Sequence, residues 1–154
     1  MSIELKLQIA TDSRIPNFLQ LNRWINLTLL GRLDTAELTI RIVDEVESAS
    51  LNKQYCHKDG ATNVLSFPTD MHEEFNFLLL GDIVICAPII EKEAQTHHQE
   101  LLAHWAHIII HGTLHLLGYK HQTNDEADVM ERLETEILVK LGYPPPYGGE
   151  IIYE

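Results

Sequence analysis

The chain has 154 residues, 45% of them hydrophobic, and a formal net charge of −12, which fits one compact domain able to bury a core without disulfides or a structural metal. That acidity excludes a broad phosphate-binding surface, since nucleic-acid affinity comes largely from Lys and Arg neutralising phosphates, but it leaves room for a local basic patch. The two cysteines, Cys56 and Cys86, lie far apart without a C-x-x-C spacing, so free thiols and a reducing, cytoplasmic setting are expected.

At the N-terminus Ile3, Leu5, Leu7 and Ile9 alternate with Ser2, Glu4, Lys6 and Gln8, the pattern of a strand rather than the continuous apolar run of an export signal. The segment SRIPNFLQLNRWINLTLLG carries Leu21, Trp24, Ile25, Leu27 and Leu29 at mostly helical spacing, with Pro16 near its start and Gly31 at its end. It reads as an amphipathic helix. Leu38, Ile40 and Ile42 alternate with Thr39 and Arg41 as a second strand, and Asp44 to Tyr55 follow as a helix. A turn rich in Gly, Asp and Asn leads to a short third strand, Asn63 to Phe67, stopped by Pro68, and then to an acidic, mobile loop, TDMHEEFN. FLLLGDIVICAP is a nearly continuous apolar run, as expected of a strand buried on both faces near the sheet centre, with Gly81 a candidate bulge.

From Pro88 onward helices are predicted over PIIEKEAQTHHQ, ELLAHWAHIIIHGTLHLLG and TNDEADVMERLETEILVKLG; the last has Thr123 and Glu126 in capping-box spacing and Gly142 at its end. The tail at 143–154, YPPPYGGEIIYE, cannot be helical through its three prolines and is expected to be extended or flexible. No stretch approaches the roughly 18 uninterrupted apolar residues of a spanning helix, so a soluble protein with no membrane partner is expected. Strand and helix alternate first and helices dominate later. This order predicts an α/β (α+β) layer-type single domain over residues 1–142, with a four-stranded mixed sheet packed against about five helices. The third and fourth strands, joined without a helix, can pair antiparallel and leave an edge strand open to a ligand.

The stretch HGTLHLLGYKH, residues 111–121, carries the chemistry. His111 and His115 are four residues apart and share one helix face; Gly118 breaks the helix, and His121, three residues further on, can return from another direction. Three neutral imidazoles around an ion with an open position is the arrangement of catalytic zinc, whereas structural zinc is usually held by four ligands rich in cysteine. One zinc ion on His111, His115 and His121 is therefore expected, in the C-terminal helical half; nickel or copper would also accept three imidazoles. His104 and His107 lie one or two turns away and read as packed or hydrogen-bonded beside Trp105, with support of the metal ligands as the alternative. His57, His72, His97 and His98 lie in polar segments and read as exposed.

The ligand spacing is that of metzincin proteases, whose motif has a glutamate general base directly after the first histidine. Gly112 stands there instead, so peptide hydrolysis by that mechanism lacks its base. Bound zinc still brings water towards a pKa of ~7, which keeps a hydroxide nucleophile available at neutral pH. Asp82 is a candidate for orienting a ligand histidine, with a hydrogen-bonded strand residue as the plainer reading; Ser66 reads as a strand hydroxyl.

At this point the chain resembles the YbeY family, bacterial metal-dependent endoribonucleases implicated in ribosomal RNA maturation. The hallmark H-G-x-L-H-L-x-G-Y-D-H is matched by HGTLHLLGYKH except that Lys120 replaces the aspartate, and LNKQY, KDGATNVLSFP, LLGDIVIC and AHWAH occur in the family's order. The resemblance implies a mixed α/β fold, one zinc ion in a cleft, hydrolysis of single-stranded RNA by the metal-bound water, and ribosomal RNA, possibly with ribosomal proteins, as partners. One departure bears on activity: where the family usually has an arginine after the tyrosine of its LNxxYR motif, this chain has Cys56. A guanidinium there would suit phosphate binding and cysteine cannot replace it. Lys58 and Lys120 are the candidate phosphate contacts in its stead, each with an ordinary surface lysine as the alternative. The rival functions are a metallopeptidase or other metal-dependent hydrolase, and a non-catalytic metal-binding ribosome-assembly factor.

Overall fold

Apolar alternation and side-chain caps divide residues 2–69 and 79–146, those described by the computed structural model, into four strands and five helices. In chain order these are β1 (Ser2–Ala10), α1 (Phe18–Leu29), β2 (Thr35–Val43), α2 (Glu45–Cys56), β3 (Val64–Pro68), β4 (Leu79–Cys86), α3 (Ala87–Thr96), α4 (Leu101–Leu116) and α5 (Asn124–Lys140). The first helix is shorter than its apolar spacing suggests. Asn17 caps it by accepting from the Gln20 backbone while the Gln20 side chain accepts from the Asn17 N–H, a closed capping box that leaves Pro16 outside. Thr123 and Glu126 close the same box on α5.

The sheet order is β1-β2-β4-β3, parallel between β1, β2 and β4 and antiparallel between β3 and β4. This is the expected mixed α/β sheet, with the apolar run of β4 inside and β3 at an edge. Pro68, the last residue of β3, is tolerated there because an edge strand has one side free of ladder bonds. Gly81 makes the predicted irregularity: the register between β2 and β4 shifts beside it. Its φ is +142°, and a Cβ would stand 2.3 Å from the Phe67 carbonyl oxygen, so only glycine fits.

One face of the sheet carries Leu38, Ile40 and Ile42 of β2 with Ile83 and Ile85 of β4, all fully buried in one cluster with Leu21, Ile25 and Leu29 of α1 and Ile109, Ile110 and Leu114 of α4. Burying each such side chain is worth about 1.5–3 kcal/mol against leaving it in water. α4 is the central helix: its spacing leaves one polar stripe, His104, His107, His111 and His115, on a helix otherwise largely buried. Gly112 lets it sit close on the sheet, since a Cβ there would lie 3.2–3.3 Å from Ile83 Cγ2, Ser66 Oγ and Val64 Cγ2. The smaller cluster of Val43, Leu65 and Val84 packs with Leu51 and Phe67.

No described helix is long and apolar enough to cross a membrane. Of the predicted acidic loop, residues 70–76 lie outside the described residues, His72 among them, as does the tail beyond Pro146. In the first part of that tail, Tyr143 packs against the main core and Pro146 is buried.

Candidate metal centre

The stop at the end of α4 builds the centre. Gly118 has φ +103°, its N–H donates to the His115 carbonyl, and the Tyr119 N–H donates to the Leu114 carbonyl. This Schellman pairing satisfies the last carbonyls of the helix and turns the chain back. His121 is thereby returned towards the histidines on α4. The ligating atoms of His111, His115 and His121 all lie within 4.8 Å of one another, and the Nε2 atoms of His111 and His115 are 3.1 Å apart. Zinc–nitrogen bonds of about 2.0–2.1 Å at tetrahedral angles imply nitrogens about 3.3 Å apart, so the pair fits an edge of such a site.

The chain's own groups select which nitrogens face the gap. Glu134 of α5, fully buried, sits 3.0 Å from His111 Nδ1 through Oε2 and 3.4 Å from His107 Nε2 through Oε1. Accepting the Nδ1–H hydrogen bond leaves the Nε2 lone pair of His111 available as the ligand. Burial by itself would raise the Glu134 carboxyl, but the hydrogen bonds from His107 and His111 outweigh it and bring it down to about 2. His115 is pushed down to about 4 by burial and by the neighbouring His111 and His121, so at neutral pH it is the uncharged form a metal requires.

The carboxylate that serves the centre is thus Glu134, which the sequence reading missed, and not Asp82. Asp82 is exposed on β4, pointing opposite to Ile83, whose side chain meets α4 at Gly112. Sequence did carry a signal for Glu134: it shares a helix face with Met130, Ile137 and Leu138, all buried, and a lone carboxylate on an apolar face needs a partner. Ser66 donates from Oγ to the Gly112 carbonyl at 3.2 Å and is a strand hydroxyl, as read. Gly112 itself faces β3 and β4, so a side chain there would point at the sheet. His104 and His107 are hydrogen-bonded to carboxylates, Glu93 and Glu134; His57, His97 and His98 are exposed.

The three histidines open into a cleft of about 1490 Å³ whose walls also include Ser66, Glu93, His104, His107, Tyr119 and Tyr143. A family model described as Endoribonuclease YbeY matches residues 8–142. The chain belongs to the YbeY endoribonuclease family. It is 52% identical over 149 residues to the endoribonuclease YbeY of Pseudomonas putida strain W619, covering 96% of this chain and 95% of that one. Against the endoribonuclease YbeY of Stutzerimonas stutzeri strain A1501 it is again 52% identical, with 96% and 93% covered. The solution structure of TM1509 from Thermotoga maritima shares the fold, with a TM-score of 0.61 at 21% identity over 96% of this chain and 99% of that one.

Set beside the YbeY pattern, the departures gather at this cleft. Cys56, standing for the family's usual arginine, lines it and is exposed, as do Lys58 and Lys120. Among the described lining residues those two lysines are the cations and Glu93 and Glu100 the carboxylates.

Proposed function

We propose that this chain is a zinc-dependent endoribonuclease acting on single-stranded RNA in the maturation of ribosomal RNA, with His111, His115 and His121 holding one zinc ion in a cytoplasmic enzyme. The observation that carries the reading is the triad itself: three ring nitrogens gathered within 4.8 Å at the wall of a cleft large enough for a stretch of polymer, in a chain of this family. Their chemistry fits zinc, since three imidazoles without cysteine form an open, catalytic type of site. Bound there, zinc supplies Lewis acidity, lowering the pKa of water towards ~7 and drawing charge from a phosphodiester.

The protein's residues do the rest. Glu134 holds the His111 proton on Nδ1, and the backbone of Tyr119 hydrogen-bonds the His115 ring, so both imidazoles are fixed before any metal arrives. Lys58 and Lys120 are exposed on the cleft walls and offer the local positive charge that an acidic protein needs to hold RNA phosphates. Ribosomal proteins are the further partners this role implies. A metzincin-like peptidase is disfavoured because Gly112 stands where that mechanism has its glutamate base, and a Cβ there would already press on Ile83, Ser66 and Val64.

The test is zinc content of the purified protein together with cleavage of a single-stranded RNA before chelation, after it and after zinc is restored. About one zinc per chain and chelator-sensitive cleavage are expected, and His115→Ala should abolish both. Full cleavage by His115→Ala would sink the metal mechanism. Zinc binding without cleavage, with ribosomal association that survives loss of all three histidines, would instead favour the assembly factor.

A further inference from the structure

The cleft contains a second polar constellation that takes no part in the metal group. Glu93, in the last turn of α3, faces His104 of α4, whose Nε2 lies 2.9 Å from Oε1. Asn63, just before β3, donates from Nδ2 to both carboxylate oxygens, at 3.2 and 3.3 Å. All three line the same cleft as the metal histidines. His104 is 8% exposed, whereas the Glu93 side chain keeps 31%, so a buried imidazole and an amide fix a carboxylate that still meets the open cleft.

Two properties limit what this group can take. Burial would raise the Glu93 carboxyl, but the hydrogen bonds from His104 and Asn63 outweigh it and hold the group below the usual carboxylate range, so it is an anion at neutral pH. An anionic carboxylate has about four acceptor positions and no donor, and the described contacts from His104 and Asn63 leave part of that capacity unused. It would repel a phosphate and attract a hydroxyl or amino hydrogen. Distance gives the second limit. Seven residues separate His104 from His111, about 10 Å along a helix axis, so the group that meets Glu93 belongs beside the reacting nucleotide and not on it. The cleft, about 1490 Å³, exceeds the roughly 300–1,000 Å³ of a small-molecule pocket and leaves space for that neighbour.

We propose that Glu93, fixed by Asn63 and His104, is a hydrogen-bond acceptor for a donor on an RNA nucleotide next to the one at the metal: a ribose 2′-hydroxyl or a base amino group. The proposal rests on the endoribonuclease reading and adds a specificity contact to it. Glu134 of α5, whose partners His107 and His111 share α4 with His104, shows the contrast, since its carboxylate is wholly enclosed and meets no open cleft.

The experiment uses the zinc-loaded full chain and a set of short single-stranded oligoribonucleotides. In one arm a single 2′-deoxy sugar is walked along the strand; in the other, cytosine is replaced by uracil at each position in turn. Each substrate is scored by kcat/KM, and by fluorescence anisotropy with chelator present, where binding is read without cutting. One position is expected at which loss of the donor weakens wild type about tenfold, the worth of a hydrogen bond to a charged group. Glu93→Ala should be about tenfold weaker than wild type on every substrate that keeps this donor and equal to wild type on the one that lacks it, with normal zinc stoichiometry. Glu93→Gln, which keeps an acceptor oxygen without the charge, should fall between wild type and Glu93→Ala. The arm that responds identifies the sugar or the base as the source. A merely structural role predicts equal losses on every substrate; that result, or a wild type with no sensitive position, overturns the proposal. Cleavage without the positional signature rejects the Glu93 contact alone, whereas the signature in binding without cleavage rejects the endoribonuclease reading and keeps the contact.

Discussion

Two carboxylate–histidine pairs lie along one face of α4, and they differ in burial more than in chemistry. Glu134 is fully enclosed and bridges His107 to His111, a member of the metal group. Glu93 reaches His104 two turns earlier and remains partly open to the cleft. The difference teaches that a helix with a repeating polar stripe can carry an internal brace and an outward-facing acceptor, separated only by how deeply the partner helix seats its glutamate.

Zinc affinity separates the two pairs most widely. Glu134→Gln should weaken zinc binding about 10–100-fold, the usual cost of losing the carboxylate behind a ligand histidine. Glu93→Gln should leave it unchanged in a competition titration against a chelating dye. Equal losses in both variants would erase the distinction.

Stability comes next. Glu134→Ala removes the acceptor shared by the half-buried His107 and His111 rings and opens a void where a fully buried side chain stood, which should cost about 2–4 kcal/mol in denaturant unfolding. Glu93→Ala loses contacts at a partly solvated site and should cost about 1 kcal/mol.

Acid sharpens the contrast in the metal-free protein. His115 is held at about 4 against an ordinary 6.5, and Glu134 at about 2 against 4.5. For both, the unfolded chain takes up a proton at a pH where the folded chain does not, so each contribution is whole above the ordinary value and lost as pH falls. Tm should therefore decline from pH 6.5 towards 4 as His115 resists protonation, and further between 4.5 and 2 as Glu134 does. Glu134→Gln should flatten the second decline and spare the first; a wild-type Tm that is level from pH 7 to about 4 would contradict the assignment of His115.

The smallest effect is expected at Gly112, which faces the sheet rather than either pair. Gly112→Ala gains helix propensity of about 1 kcal/mol but must displace Ile83, Ser66 or Val64, a cost of about 1–3 kcal/mol. A net loss of about 1 kcal/mol with unchanged zinc affinity is expected from parallel unfolding and metal titrations.

The triad was legible because its determinants are local: an i, i+4 pair, a helix-stopping glycine and a third histidine within one short stretch. The mixed sheet was legible for a related reason, since alternation in β1 and β2 and the solid apolar run of β4 report directly on burial. Glu134 was not read because its partners are 23 and 27 residues away and only the packing of α5 on α4 joins them. Glu93 is hidden similarly, with Asn63 30 residues before it. For Asp82 the plainer reading, a strand residue, was the right one, because the pleat of β4 turns that side chain to the face away from α4.

α5 ends as α4 does: Gly142 at φ +90°, with its N–H on the Val139 carbonyl and that of Tyr143 on Leu138. Leu-Gly-Tyr therefore closes both helices, once before His121 and once before the prolines on the cleft wall. Both are tied to angular phase, and one residue inserted between His115 and Gly118 would swing everything beyond it by about 100° about the α4 axis. Evolution can lengthen the loops of this protein cheaply, but the three positions from His115 to Gly118 are a spacing it can change only by giving up the site.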